Sequence, residues 1–243
     1  FTAPKMNADG YEAEVMLYGE IISGMPEDWK WDKEDKSAAD FDRAIKEAVR
    51  SGARKLLLRI NSPGGILREA VAMRSTLNTA GFETVTIRIE GLCASAATVV
   101  ATLPGAHVQI AEGSEFMVHT PVCGCYGYAD DMEATAAYLR KSEEIARGFY
   151  TKRTGADEAT VKAWMDAETW FTAREALEAG FCDEVISEGG QEPEVAMNAR
   201  TLAAMRAMWG TRESDTESRM RLFSGLSSTV TQPTSPPNVH VRA

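Results

Sequence analysis

The feature that most limits the fold of this chain is the alternation of strand-like and helix-like segments between residues 12 and 187. Residues 55–60 form a leucine-rich run typical of a buried strand, and residues 85–89 show the two-residue period of a strand. Before both strands, apolar side chains in residues 41–49 recur at helical spacing. Strands that alternate with helices need crossover connections, so the pattern predicts an α/β fold with a parallel sheet.

This alternation predicts one domain over residues 12–187, preceded by a flexible segment at residues 1–11. The charged residues 28–40 are interpreted as a loop or exposed insert. Residues 188–243 are predicted to be an extension with one possible helix at 199–209, followed by a disordered Ser-, Thr- and Pro-rich tail. Inside the domain, helices are expected over 41–49, 68–77, 93–103, 129–151, 158–165 and 173–179. Strands are expected over 14–22, 55–60, 85–89, 107–110, 115–119 and 181–186.

Composition excludes several classes of function. Lys and Arg number 26 against 36 Asp and Glu, and the net charge of −10 argues against binding nucleic acid or an anionic membrane. No apolar stretch approaches the roughly 20 residues of a membrane helix. Four cysteines are too few for a disulfide scaffold, which favours a reduced, cytoplasmic setting. Cys123 and Cys125 lack a second pair for zinc, and no phosphate-binding P-loop motif is present, so we expect no metal and no cofactor.

Ser95 lies where a strand is followed by a helix of very small side chains. The N-terminus of that helix would offer unpaired N–H groups and a favourable dipole to a developing oxyanion, as a nucleophilic serine requires. The alternative is that Ser95 only caps a buried helix. A glycine pair, Gly64 and Gly65, follows the leucine-rich strand and would let backbone approach a ligand, or would simply form a strand-to-helix turn.

His119 ends a short strand and is a candidate general base, because a serine needs one near neutral pH. A structural histidine is the alternative. Asp166 and Glu168 are the candidate acids that would orient it. Just after them, Thr172 and Glu175 have the spacing of a capping box, which predicts a helix start.

Several of these segments together resemble the ClpP-type serine peptidases. The similar segments, in chain order, are LYGEI at 17–21, LLLRINSPGG at 56–65, GLCASAA at 91–97, MVHTP at 117–121, WFTAREA at 170–176 and AGFCDEV at 179–185. The intervals from Ser95 to His119 and from His119 to Glu168, 24 and 49 residues, also fit that family.

The resemblance implies a crotonase-like fold of repeated βαβ units with a projecting long helix. It implies Ser95 as nucleophile, His119 as general base and Glu168 as acid, with Asp166 as the alternative acid. Gly65 and Ala96 would supply the oxyanion-hole N–H groups. Gly64 and Gly65 would line the substrate-binding site.

The charged insert, the Cys-x-Cys pair and the long tail are more similar to the ClpP-related proteases of tailed phages and prophages. This branch implies a prohead maturation protease that cleaves capsid or scaffold protein, and it leaves docking to an ATPase open. Two other functions share the architecture. One is a crotonase-fold acyl-CoA hydratase or isomerase, and the other is an inactive structural capsid subunit.

The predicted helix at residues 129–151 is long for a domain of this size. It could lie along its own sheet as an amphipathic helix. By the family resemblance it would project and contact a facing subunit, which implies a homo-oligomer of stacked rings around an inner chamber. We expect its residues Leu139 and Phe149 to take part in that contact.

Overall fold

The computed structural model describes residues 10–23 and 35–187. The strands are β1 (Ala13–Tyr18), β2 (Lys55–Ser62), β3 (Thr84–Ala94), β4 (His107–Ala111), β5 (Glu115–Val118), β6 (Thr169–Thr172) and β7 (Glu184–Ile186). The helices are α1 (Ala38–Arg50), α2 (Leu67–Thr79), α3 (Ala96–Ala101), α4 (Ala129–Thr154), α5 (Glu158–Asp166) and α6 (Ala173–Glu178). The predicted extension at 188–243 and most of the predicted flexible segment at 1–11 lie outside the described residues.

The predicted α/β fold with a parallel sheet is confirmed. The strands pair in the order β1, β2, β3, β4, β7, and every pair in that path is parallel. Each parallel connection through a helix buries one face of that helix on the sheet. In α1, for example, the helical spacing of Phe41, Ala44, Ile45 and Ala48 corresponds to its buried face.

Strand β3 is longer than its sequence pattern predicts, and this extension builds the site. Its first part pairs with β4, and Leu92, Cys93 and Ala94 then pair with β5. Between these two parts, Gly91 has a φ of 94°, and its N–H donates to Ser114 Oγ at 2.8 Å. The expected helix over residues 93–103 therefore begins too early, because the strand continues to Ala94 and α3 starts at Ala96.

Strand β6 was not expected from the sequence. It has four residues, pairs antiparallel to β5, and places Phe171 opposite Phe116. Their rings belong to one aromatic cluster with the buried Tyr150 and Phe181 and the partly buried Trp164, in which the paired ring centroids lie 4.7 to 5.8 Å apart. This cluster packs β5, β6, α4 and α5 together, and β5 in turn pairs with the end of β3.

The charged residues 28–40 end inside a helix, contrary to their interpretation as a loop or exposed insert, because α1 begins at Ala38. Ser37 caps the helix in a capping box with Asp40, and both residues are buried. The remainder of that segment, residues 28–34, lies outside the described residues. The capping box predicted for Thr172 and Glu175 is confirmed at the start of α6.

Helix α4 packs on the rest of the domain only through its C-terminal half. Its buried residues are Ser142, Ala146 and Tyr150, four positions apart, and residues 129–141 include no buried residue. It does not lie along its own sheet over its full length. No helix within the described residues is long and apolar enough to cross a membrane.

Candidate active site

Ser95 lies between β3 and α3 with a strained backbone. Its φ of 53° and ψ of −126° place it in a region that L residues rarely adopt. Its side chain makes no capping bond to α3, so the interpretation as a simple helix cap is wrong. Instead, Ser95 Oγ lies 2.7 Å from His119 Nε2. The sharp turn lifts the hydroxyl out of the strand and directs it to the imidazole.

His119 follows β5, which is the neighbour of the β3 extension. The Ser95 N–H donates to the Met117 carbonyl at 2.9 Å, and this bond sets the spacing between the two segments. Burial lowers the pKa of His119 below its usual value, because the charged imidazolium loses hydration. The ring is therefore neutral at pH 7. For Nε2 to accept the serine proton, the ring proton must be on Nδ1.

The glycine turn is packed directly against the Ser95 turn. At Gly64, φ is 94°, and a Cβ would lie 2.5 Å from the Ala94 carbonyl oxygen. At Gly65, φ is 136°, and a Cβ would lie 2.2 Å from the Ile21 carbonyl oxygen. Only glycine fits either position. The turn is thus a close approach of two backbones and not an ordinary strand-to-helix connection.

The predicted oxyanion donors, Gly65 and Ala96, lie on the two sides of this contact. Neither N–H donates to an acceptor among the residues that the structure describes, whereas the flanking N–H groups of Gly64 and Ile66 do. Ala96 is the first residue of α3, where an N–H has no partner within the helix. Both donors are therefore available to a ligand.

The two candidate acids have different surroundings. Asp166 is exposed, accepts a hydrogen bond from Thr120 Oγ1 at 3.1 Å and pairs with Lys162 Nζ at 2.6 Å. Glu168 is half-buried, has a φ of 50°, and its carboxylate accepts no hydrogen bond from the described residues. Between α5 and β6, the chain therefore holds Glu168 in a strained backbone conformation.

The arrangement of Ser95, His119 and the glycine turn agrees with the comparison with known families. The family model of Clp protease matches residues 44–189, which is more than half of the chain. The chain belongs to the Clp protease family. The resemblance to ClpP-type peptidases is thereby confirmed, and the assignment to the phage branch stays a prediction.

Two curated relatives show how far the similarity extends. The chain is 27% identical over 173 residues to the ATP-dependent Clp protease proteolytic subunit of Ligilactobacillus salivarius (strain UCC118), covering 71% of this chain and 82% of the relative. It is 29% identical over 143 residues to the subunit of the same name from Streptococcus pneumoniae (strain Hungary19A-6), covering 57% of this chain and 72% of the relative. The similarity thus spans most of each relative's length.

In this Clp protease family member, Cys123 and Cys125 are exposed free thiols on the loop after His119. The structure describes no group of three or more His, Cys, Asp or Glu side chains that could hold a metal ion within residues 10–23 and 35–187.

Two buried hydroxyls behind Ser95 were missed by the sequence reasoning. Thr98 Oγ1 donates to the Ser95 carbonyl at 2.5 Å and lies 2.7 Å from Tyr150 Oη. The one available signal was a hydroxyl three residues after Ser95 within an otherwise apolar helix. Tyr150 gave none, because its partner is 52 residues away in the chain.

Proposed function

We propose that this chain is a serine endopeptidase that works through an acyl-enzyme. Ser95 Oγ attacks the scissile carbonyl carbon while His119 Nε2 accepts the hydroxyl proton. The tetrahedral intermediate collapses, and the imidazolium gives that proton to the leaving amine. Water then enters, loses a proton to His119 and hydrolyses the ester. The observation that carries this proposal is the 2.7 Å contact between Ser95 Oγ and His119 Nε2.

The oxyanion of the tetrahedral intermediate would be bound by the N–H groups of Gly65 and Ala96. Backbone donors fixed in advance stabilise developing charge without reorganisation, and each is worth about 10²–10³ in rate. Their lack of acceptors among the described residues supports this role. Gly64 and Gly65 would also line the path of an extended substrate, since no side chain there blocks an approaching backbone.

Glu168 is the proposed acid that orients His119. Its interval from His119 and its position before the segment Trp170-Phe171-Thr172 support the assignment. Its strained φ supports it further, because such conformations persist mainly where a site requires them. Asp166 is the less favoured acid, since Lys162 and Thr120 already engage its carboxylate.

Covalent labelling with a fluorophosphonate probe tests the activity. We expect one adduct on the folded protein, mapped by mass spectrometry to Ser95 and absent from Ser95→Ala. His119→Ala should label slowly, because the hydroxyl then lacks its base. Folded wild-type protein that does not label would contradict the proposal and favour an acyl-CoA hydratase or isomerase or an inactive structural subunit.

The proposed assembly is a homo-oligomer of stacked rings with the sites facing an inner chamber. The loop after His119 and the N-terminal half of α4 support it, because they leave large apolar side chains uncovered. These exposed side chains are Val122, Tyr126, Tyr128, Met132 and Tyr138. Phe149, expected in the contact, instead packs inside the chain against Arg74, whose guanidinium lies 4.2 Å from the ring centroid.

The proposed substrate is capsid or scaffold protein of a prohead. The charged segment, the Cys-x-Cys loop and the long C-terminal region support this through their similarity to phage-encoded relatives of ClpP. Co-expression with the neighbouring capsid gene, followed by mass spectrometry of the capsid protein, tests it. Cleavage with wild-type protein but not with Ser95→Ala is expected, and an intact capsid protein beside an enzyme that cleaves other peptides would contradict it.

A further inference from the structure

A chain of hydroxyl groups connects helix α4 to the nucleophile turn. The Ser95 carbonyl accepts two hydrogen bonds from Thr98, one from its N–H at 3.0 Å and one from Oγ1 at 2.5 Å. Thr98 Oγ1 also lies 2.7 Å from Tyr150 Oη. A threonine hydroxyl has one proton, and here Ser95 receives it. Tyr150 is therefore the donor to Thr98, and the chain runs from Tyr150 through Thr98 to the Ser95 carbonyl.

The peptide between Ser95 and Ala96 transmits this contact to the site. A peptide is planar, and where it is trans its C=O and N–H point in opposite directions. No peptide in the described chain is cis. Fixing the Ser95 carbonyl on the Thr98 side therefore fixes the direction of the Ala96 N–H on the opposite side. That N–H is the proposed oxyanion donor.

Burial makes this chain of hydroxyls rigid and keeps it protonated. Thr98 is fully buried and Tyr150 is 2% exposed, so water does not compete for the bonds. Burial raises the pKa of the Tyr150 phenol far above neutrality, so it remains a donor. The Tyr150 ring lies edge-on to Phe181 with centroids 5.8 Å apart, which holds the hydroxyl in place.

We propose that Tyr150 and Thr98 are positioning residues that orient the Ala96 N–H toward the oxyanion. This inference rests on the proposed peptidase function. It adds two buried residues that act on the oxyanion donor through the Ser95–Ala96 peptide. Since neither side chain touches the substrate, their contribution is to the transition state through the backbone, not to substrate binding.

The test compares Tyr150→Phe, Thr98→Val and Thr98→Ser with wild type. The readouts are kcat, KM and the inhibition constant of a peptide boronate, each normalised by active-site titration. The boronate forms a tetrahedral adduct on Ser95 whose oxygen occupies the oxyanion position. We expect kcat to fall about 3- to 10-fold in Tyr150→Phe and about 10- to 100-fold in Thr98→Val, less than the cost of deleting an oxyanion donor. KM should change little, and Thr98→Ser should restore most of the rate.

Thr102→Val is the matched control. Thr102 is also buried, and its Oγ1 donates to Val99 at 2.7 Å with the same three-residue spacing, but it lies at the other end of α3. A merely structural role for Thr98 predicts that both valine variants lower the melting temperature and leave kcat and boronate affinity unchanged. The positioning role predicts that boronate affinity falls with kcat in Thr98→Val alone.

Two results would overturn the inference, and they are distinguishable. An active wild type with Tyr150→Phe and Thr98→Val retaining full kcat and boronate affinity would refute the positioning role and leave the peptidase intact. A wild type that neither cleaves peptide nor binds boronate would refute the peptidase function and this inference with it. Because Tyr150→Phe keeps the packed ring, it remains informative if Thr98→Val fails to fold.

Discussion

Ser95 and Glu168 are the two residues other than glycine with positive φ among those that the structure describes, at 53° and 50°. The fold holds them very differently. Ser95 is bonded through its N–H to Met117, through its carbonyl to Thr98 and through its hydroxyl to His119. Glu168 is bonded through its N–H to Met165 at 3.2 Å, and its carboxylate has no partner among the described residues.

In the proposed mechanism, the nucleophile Ser95 and the acid Glu168 are therefore held to different degrees. A positive φ costs a non-glycine residue of order 1–3 kcal/mol, so it survives only where surrounding contacts enforce it. Around Ser95 those contacts are numerous, and every residue of α3 is buried. The nucleophile is thus fixed before any substrate binds. At Glu168 the described contacts are to the backbone, and no partner of the carboxylate lies among the described residues.

The largest expected loss of activity comes from changes at Ser95 and His119. Ser95→Ala and His119→Ala should each reduce peptide cleavage by on the order of 10⁶, because nucleophile and base act as one unit. Turnover of a fluorogenic peptide measures the loss, and circular dichroism checks that the fold persists. Near-normal turnover in either variant would refute the proposed pair.

The next effect distinguishes the acids. If Glu168 orients His119, Glu168→Gln should lower kcat by about 10³–10⁴, since an amide does not stabilise the imidazolium. Asp166→Asn is the matched control and should stay within about threefold. The reverse order would move the role to Asp166 and remove the functional reason for the strain at Glu168.

The third effect concerns assembly, because a fixed Ser95 need not be sufficient for turnover in a single subunit. Tyr138 is 54% exposed on the projecting half of α4, and Tyr138→Glu should split the oligomer. At low micromolar concentration we expect turnover to fall about fivefold, because dissociation follows mass action. Light scattering measures the mass, and Val49→Glu on α1 is a control at an exposed apolar position elsewhere.

A wild-type monomer at micromolar concentration with full activity would end the assembly proposal. It would leave the catalytic pair unaffected, since Ser95 and His119 meet within one chain.

The pH dependence of kcat/KM tests the role of His119 as general base. The pKa of His119 is lowered by burial, and the ring must be neutral to accept a proton. The acidic limb of kcat/KM should therefore lie below about pH 6.5, the ordinary value for histidine. The same shift makes folding less favourable in acid: the unfolded chain takes up the proton first, so stability is lost as the pH falls below about 6.5. An acidic limb above 6.5 would contradict this assignment.

The smallest effect measures the strain itself. At both Ser95 and Glu168, the glycine variant should be more stable than the alanine variant by about 1 kcal/mol, because glycine adopts positive φ freely. Urea denaturation provides the difference. An alanine variant as stable as the glycine variant at Glu168 would show that its backbone relaxes, and Ser95 would then be the single strained position of the pair.

Local sequence was sufficient to predict much of the fold and the position of the candidate site. Periodicity located the α/β alternation and helix α4, because burial on one face leaves a period that a sequence displays. The Gly64 and Gly65 pair, the small residues around Ser95 and the position of His119 indicated the site. Each has a local requirement, either a backbone contact that excludes a Cβ or a hydroxyl that needs a base.

Tertiary structure alone decided the rest. Strand β6 forms because β5 offers an edge to pair with, and four residues display too little periodicity to reveal it. The outward half of α4 follows from which turn of the helix meets the core, and periodicity does not encode that. The bond from Tyr150 to Thr98 joins residues 52 positions apart. Such a contact depends on how two helices pack, so the sequence around either residue could not disclose that Tyr150 lies behind the nucleophile.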